Sequence, residues 1–148
     1  MKDEVRNNAE NYFNNGLMCA ESVVLALTQA HGIESDLLPK AATAFCGGMS
    51  RTCGTCGALS GAVMGISAIL GREGAGKPYD DAYQAAGTVI RKFEEEFGSR
   101  NCHELLGCDL GTPEGQAAFK NEGLRNRCNH YTARAAELAE EILAERAK

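Results

Sequence analysis

The stretch Cys53-Gly-Thr-Cys56-Gly-Ala-Leu-Ser-Gly61-Ala-Val-Met-Gly65-Ile-Ser-Ala-Ile-Leu70 decides the fold. No residue between Arg51 and Arg72 is charged. Cys56, Leu59, Val63, Ile66 and Leu70 recur at helical spacing and define one apolar face. Gly57, Gly61, Gly65 and Ala68 fall on another, where small residues four apart let neighbouring backbones approach closely. A helix that is apolar or small on both faces belongs in an interior. Its apolar part runs only from about Ala58 to Leu70, too short and too glycine-rich for a membrane span, so a buried core helix is expected.

Working outward, apolar spacing of three and four recurs and sustained alternation is absent, which predicts an all-α fold. Val5, Ala9 and Tyr12 mark a first helix, with Asp3 as its N-cap. Cys19, Val23, Leu27 and Ala30 mark a second, ended by Gly32, and Pro39 admits a short helix around Lys40 to Phe45. The run Cys46-Gly-Gly-Met-Ser-Arg-Thr-Cys53 reads as a flexible, glycine-rich approach to the central helix. After a loop from Gly71 to Pro78, Tyr79, Tyr83, Ala86, Ile90, Phe93 and Phe97 form an amphipathic stripe that Gly98 stops. Cys102-His-Glu-Leu-Leu-Gly-Cys108 is short and irregular, about one helical turn. Thr112-Pro-Glu is a helix start signal. Leu124, Cys128, Tyr131, Ala135, Leu138 and Ile142 define the last helix, with Cys128 on its inward stripe. Residues 1–148 are expected to form one cysteine-rich helical domain, a bundle around a buried, glycine-rich central helix.

A chain of 148 residues with 44% hydrophobic and 24% charged residues can build a core without disulfides, so its seven cysteines call for another explanation. The net charge is -5, and no run of Lys or Arg exceeds two residues, which excludes the basic stripe of a nucleic-acid binder. Met-Lys-Asp-Glu-Val-Arg lacks the apolar region of a signal peptide, so a cytoplasmic location without stable membrane insertion is expected. In a reducing compartment, cysteine clusters are more often metal ligands or redox catalysts than structural disulfides.

Cys53-x-x-Cys56 sits at a loop-to-helix junction. Free N–H groups and the macrodipole at a helix N-terminus stabilise a thiolate, which predicts a lowered pKa there. The same spacing serves zinc, iron–sulfur clusters and dithiol exchange alike. Cys102 and Cys108 in their loop, Cys128 on its helix and Cys19 at the head of an apolar stripe are further sulfurs that a fold could gather. Taken singly, Cys19 and Cys46 read as core packing.

Cys56-Gly-Ala-Leu-Ser-Gly61 resembles the Cys-Gly-Ala-x-x-Gly hallmark of the C_GCAxxG_C_C family. Gly16-Leu-Met-Cys19-Ala-Glu-Ser-Val23, Phe45-Cys-Gly-Gly-Met-Ser50, Cys102-His-Glu-Leu-Leu-Gly-Cys-Asp-Leu110 and Cys128 extend the likeness over nearly the whole chain. The resemblance implies four characteristic cysteines, matched to Cys19, Cys56, Cys102 and Cys128, with Cys53 the alternative to Cys19. It implies a redox role inferred from those cysteines, and genes often near transporter genes. A similar domain occurs in split-Soret cytochromes, but this chain has no Cys-x-x-Cys-His haem attachment site.

Three functions follow as expectations. The first is thiol redox chemistry, with Cys53 as nucleophile, Cys56 as resolving thiol, and Cys102 and Cys128 storing a second disulfide, working with a redox protein or small thiol. The second is an iron–sulfur or zinc site on Cys19 or Cys53 with Cys56, Cys102 and Cys128, with His103 as a further candidate. The third is a non-catalytic helical interaction module. A homodimer would suit the small-residue stripe and the long last helix.

Overall fold

The computed structural model describes residues 1–146, in which the chain forms helices and no strand. They are α1 (Lys2–Asn14), α2 (Cys19–Ala30), α3 (Cys46–Arg51), α4 (Gly57–Leu70), α5 (Asp80–Phe97), α6 (Cys102–Leu106), α7 (Pro113–Asn121) and α8 (Arg125–Arg146). A 3-10 turn, Lys40–Phe45, leads into α3. No helix among the described residues is long and apolar enough to cross a membrane.

The glycine-rich helix is central, as its sequence predicts. α4 packs on α2, α5 and α8, and α1 closes over α2 and α8. Leu59, Ala62 and Ile66 enter the main core beside Val23 and Leu27 of α2, Val89 and Phe93 of α5, and Ala135, Ala139 and Ile142 of α8. Fully burying a side chain such as Leu59 or Ile66 is worth roughly 1.5–3 kcal/mol, and that is what holds the helices together.

The glycines set how close α4 comes to α2. A Cβ on Gly61 would lie 2.6 Å from the Ala20 carbonyl oxygen and 3.0 Å from Ala20 Cα. The stripe ends at Gly65, against Leu27, because Ala68 is exposed.

Three local expectations change. α1 starts at Lys2 with Met1 in the cap position, and Asp3 lies inside the first turn, where its charge favours the helix dipole. The buried face of α5 is Ala82, Ala85, Val89 and Phe93, while Tyr79 and Tyr83 are 48% and 72% exposed. Alanines fill the seam at this end of α5, and the two tyrosine rings pack against each other outside it, tilted by 49° with 4.7 Å between centroids. The glycine-rich approach to α4 is an ordered, hydrogen-bonded turn.

A candidate thiol cavity

That turn has an unusual backbone. Gly47, Gly48, Met49, Ser50 and Arg51 all have positive φ, between 61° and 71°, and Cys53 follows at 62°. α3 is therefore a single left-handed turn. Each non-glycine residue in this region costs roughly 1–2 kcal/mol, so the surroundings must hold it there. The Gly48 carbonyl accepts from the N–H groups of Thr52 (3.3 Å) and Gly54 (2.9 Å). Ser50 Oγ donates to the Ala44 carbonyl at 2.7 Å, and Thr52 Oγ1 donates to that of Met49 at 2.7 Å. The turn presses the Gly48 backbone onto Cys102: a Cβ at Gly48 would lie 2.5 Å from Cys102 Cβ and 3.3 Å from its sulfur.

A short antiparallel bridge joins Thr55 to Asn101. Cys56 N–H donates to the Arg100 carbonyl (2.6 Å), and Cys102 N–H donates to that of Gly54 (2.9 Å). Residues on either side of a bridged pair project to the opposite face from it, so Cys56 and Cys102 leave on the same side. Diagonal neighbours of this kind stand ~7–8 Å apart. Cys56 takes the cap position of α4, and Cys102 opens α6. Tyr131 of α8 donates from its hydroxyl to the Leu105 carbonyl at 3.0 Å, and Arg127 Nη1 donates to that of Leu106 at 3.4 Å. These two ties draw Cys128 to α6. Cys19 Sγ fills the space in front of Gly57, where a Cβ would be 2.3 Å from it.

Cys19, Cys56, Cys102 and Cys128 thus line one cavity of about 250 Å³. Its walls are mostly apolar, with Phe13, Leu106 and Phe119 among them, and Arg51, Arg125 and Tyr131 supply polar atoms. Arg125 is already engaged: Nη2 donates to the Phe13 carbonyl at 2.7 Å, and the guanidinium lies 4.2 Å from the Phe13 ring centroid.

Burial reverses the expected acidity of Cys56. Desolvation pushes its thiol up to about 12, with the neighbouring Cys102 and Cys128 adding to the rise, although the N–H groups of Ala58 and Leu59 pull it down. The helix N-terminus is present, but the thiol is only 7% exposed, and the cost of burying a thiolate exceeds what two N–H groups return. Burial likewise lifts Cys102 to about 11, helped by Cys108 and Cys53. It lifts Cys128 to about 12, helped by Cys102 and opposed by Arg125. At neutral pH these three are thiols.

Cys53 lies outside the lining of the cavity. It is half-buried near Asp109, and its pKa is raised by desolvation first and by that carboxylate second. Asp109 accepts from the Gly111 N–H at 2.8 Å, which with the Cys53 contact holds its carboxyl below the usual range. Cys108, also outside the lining, is raised by burial and by Glu122 and Asp109.

Of the residues expected to be catalytic, Cys56, Cys102 and Cys128 converge, while Cys53 sits beside Asp109. The expected ligand set Cys19, Cys56, Cys102 and Cys128 shares the cavity. Yet among the described residues no three His, Cys, Asp or Glu side chains stand close enough to hold a metal ion, so their present arrangement does not fit zinc or an iron–sulfur cluster. All seven cysteines are unpaired. His103 is exposed, His31 Nε2 pairs with Glu140 at 2.7 Å, and His130 packs edge-on to Phe97. Sequence reasoning missed Arg51, Arg125 and Tyr131 as cavity residues. Tyr131 was visible as a neighbour of Cys128 on one helical stripe, and Arg51 as the one basic residue adjoining Cys53-x-x-Cys56; Arg125 carried no signal.

A family model described as "Putative redox-active protein (C_GCAxxG_C_C)" matches residues 17–142. The chain belongs to this C_GCAxxG_C_C family. The match spans Cys19 through Cys128 and so includes every cysteine of the cavity. No curated protein and no solved structure matches the chain. The family's Cys-Gly-Ala-x-x-Gly hallmark has a physical reading here. Cys56 supplies a sulfur, Gly57 makes room for the sulfur of Cys19, and Gly61 seats α4 against the backbone of α2.

Proposed function

We propose that this protein performs thiol–disulfide exchange, with Cys56 and Cys102 as interior working thiols, Cys128 as a cavity thiol beside them, and Cys53 as the thiol that meets an external disulfide. The observation that carries this reading is the convergence of cysteines from α2, α4, α6 and α8 on one small apolar cavity.

The exchange runs in balanced steps. The Cys53 thiolate attacks a disulfide R–S–S–R from a small thiol or a partner protein, and one R–S⁻ leaves and takes up a proton. Cys102, which is electrostatically coupled to Cys53, attacks the Cys53 sulfur of the mixed disulfide and releases the second R–SH. The Thr55–Asn101 bridge then tightens, because a disulfide needs Cα atoms within about 7 Å, and Cys56 attacks the Cys102 sulfur while Cys53 leaves as a thiol. The protein has lost two electrons and two protons, and the external disulfide has gained both. A disulfide carries no charge, so an apolar interior accepts it where it resists a thiolate. The raised pKa values also keep the interior thiols slow toward stray oxidants.

The test is to expose the protein to a small-molecule disulfide, block remaining thiols with an alkylating agent, and map linked peptides by mass spectrometry. A Cys56–Cys102 linkage, reversed by reductant, is expected; Cys56→Ser should halt the sequence at Cys53–Cys102. If every thiol stays alkylatable, or if Cys53→Ser and Cys56→Ser leave the pattern unchanged, the proposal fails.

A further inference from the structure

Cys46 has no part in the exchange described above, and alone it would pass for core packing. Its surroundings say otherwise. It is 5% exposed and packs with Ala20, Val24 and Ala42, and Cys19 packs on the same cluster. The space in front of Gly57 shows how near the two cysteines are. One point, the position of an ideal Cβ, lies 2.3 Å from Cys19 Sγ, 3.0 Å from the Phe45 carbonyl oxygen and 3.1 Å from Cys46 Cα. Gly57 therefore touches both residues at once.

The contact is fastened from both sides. The Glu21 carboxylate accepts from the Met18 N–H at 2.9 Å and from Thr43 Oγ1 at 2.8 Å. This single buried side chain ties the 3-10 turn that precedes Cys46 to the start of α2, where Cys19 sits. Cys46 Sγ lies 3.6 Å from the Ala42 carbonyl oxygen and faces the N–H groups of Ala20 and Glu21 in the first turn of α2. The two cysteines are not equivalent: Cys19 is part of the cavity wall, and Cys46 lies behind it.

We infer that Cys19 and Cys46 form a second dithiol, with Cys19 as the attacking sulfur on the cavity wall and Cys46 as the buried resolving sulfur. The inference rests on the thiol-exchange reading of the cavity and extends it. Cys19 attacks a small-molecule disulfide R–S–S–R and expels R–S⁻, which takes up a proton. Cys46 then attacks the Cys19 sulfur, loses its proton to solvent and expels the second R–SH. A Cys19–Cys46 disulfide remains, two electrons having passed from the pair to the small molecule. The surroundings suit these roles. Cys46 is buried behind the wall with its thiol turned to the Ala42 carbonyl, so Cys19, which lines the cavity, is the sulfur that meets the small molecule first. When the bond reopens, the N–H groups of Ala20 and Glu21 stabilise Cys46 as the departing thiolate.

The test uses the full chain and oxidised glutathione as the probe, followed by alkylation in denaturant, digestion and mass spectrometry. Wild-type protein should yield a Cys19–Cys46 linked peptide, a result that needs no variant to fold. Cys46→Ser should lose that peptide and accumulate glutathione on Cys19 at least severalfold over wild type. Cys46 recovered entirely as free thiol under excess probe, or Cys46→Ser leaving glutathione on Cys19 unchanged, overturns the inference. The same digest reports Cys56–Cys102. That linkage without Cys19–Cys46 removes the second dithiol and spares the first; Cys19–Cys46 alone does the reverse.

Discussion

Helices α4 and α5 follow each other in the chain and share a seam, yet glycine means different things in them. In α4, added Cβ atoms would meet the Cys19 sulfur (2.3 Å from Gly57) and the Ala20 carbonyl oxygen (2.6 Å from Gly61). In α5, a Cβ on Gly87 would meet only the end of the Arg91 side chain, at 3.2 Å. The glycines of α4 are imposed by the close approach of α2, its backbone at Gly61 and its side chains at Gly57 and Gly65; that of α5 only weakens its helix. The contrast locates the constraint: α4 is held close to α2 along a line that ends at the cavity, whereas α5 is fastened by ordinary side-chain burial.

Alkaline pH should separate the two regions most strongly. Cys56, Cys102 and Cys128 have folded-state pKa values of about 11 to 12, against ~8.5 in an unfolded chain. A pKa raised on folding gives stability that is whole below about pH 8.5 and is lost as pH rises toward the folded value, because only the unfolded chain releases its proton there. The slope is about 1.4 kcal/mol per pH unit for each thiol, so Cys56 alone removes a few kcal/mol between about pH 8.5 and 11. Urea unfolding followed by far-UV circular dichroism should show this fall, and Cys56→Ala should make it shallower. Hydrogen exchange should rise in α6 and the first turn of α4 before α5. Parallel slopes in wild type and Cys56→Ala would remove the claim that burial sets the acidity of this thiol.

The seam itself is tested by Gly61→Ala. The added methyl meets backbone atoms of α2, which cannot rotate away, so a loss of about 1–3 kcal/mol is expected from the urea midpoint. A neutral or stabilising result would mean that α2 and α4 can separate at little cost, and the reading of Gly57 as a seat for Cys19 would weaken with it.

How much of this could be read from the sequence differs between the same two regions. α4 was legible because a charge-free run with glycines every fourth position has few other uses. The stripe of α5 was misplaced toward Tyr79 and Tyr83, because periodicity alone cannot tell a large ring at the edge of a seam from one inside it. The four cavity cysteines were singled out by likeness to a family, and no local pattern foretold their convergence. Cys56 and Cys102 meet through one two-bond bridge between residues 54–56 and 100–102, and neither segment has a strand's alternation. The left-handed α3 was hidden for another reason: Met49, Ser50 and Arg51 have no intrinsic preference for positive φ, and the hydrogen bonds that close the turn, among Ala44, Gly48, Met49, Ser50, Thr52 and Gly54, have no sequence signature. The acidity of Cys56 was misjudged because the helix end is visible in sequence, whereas the burial that overrides it belongs to the tertiary fold.

Gly87→Ala is the mirror of Gly61→Ala. With only a flexible arginine tip in the way, the substitution should stabilise the protein by about 0.5–1 kcal/mol, through helix propensity and the smaller entropy of the unfolded chain. Opposite signs at positions 61 and 87, measured on the same urea scale, are the sharpest form of the contrast between the helices. Equal destabilisation at both would mean that α5 is as tightly seated as α4.

The smallest effect is expected where α5 meets α8 at the surface. Arg134 Nε lies 2.9 Å from both carboxylate oxygens of Glu96, and the two side chains are 25% and 37% exposed. Arg134 also has Glu137 at 3.3 Å and Glu141 at 3.8 Å, so it keeps acidic neighbours when Glu96 is neutralised. Solvent screening and the cost of ordering long side chains leave an exposed pair worth about 0–1 kcal/mol. Glu96→Gln should therefore shift the urea midpoint slightly at low salt and less at high salt, as screening removes what attraction remains. A loss as large as that of Gly61→Ala, insensitive to salt, would contradict the contrast at its root. The outer helix would then be held by a specific polar contact, and close packing would no longer distinguish the thiol side of the molecule from the rest.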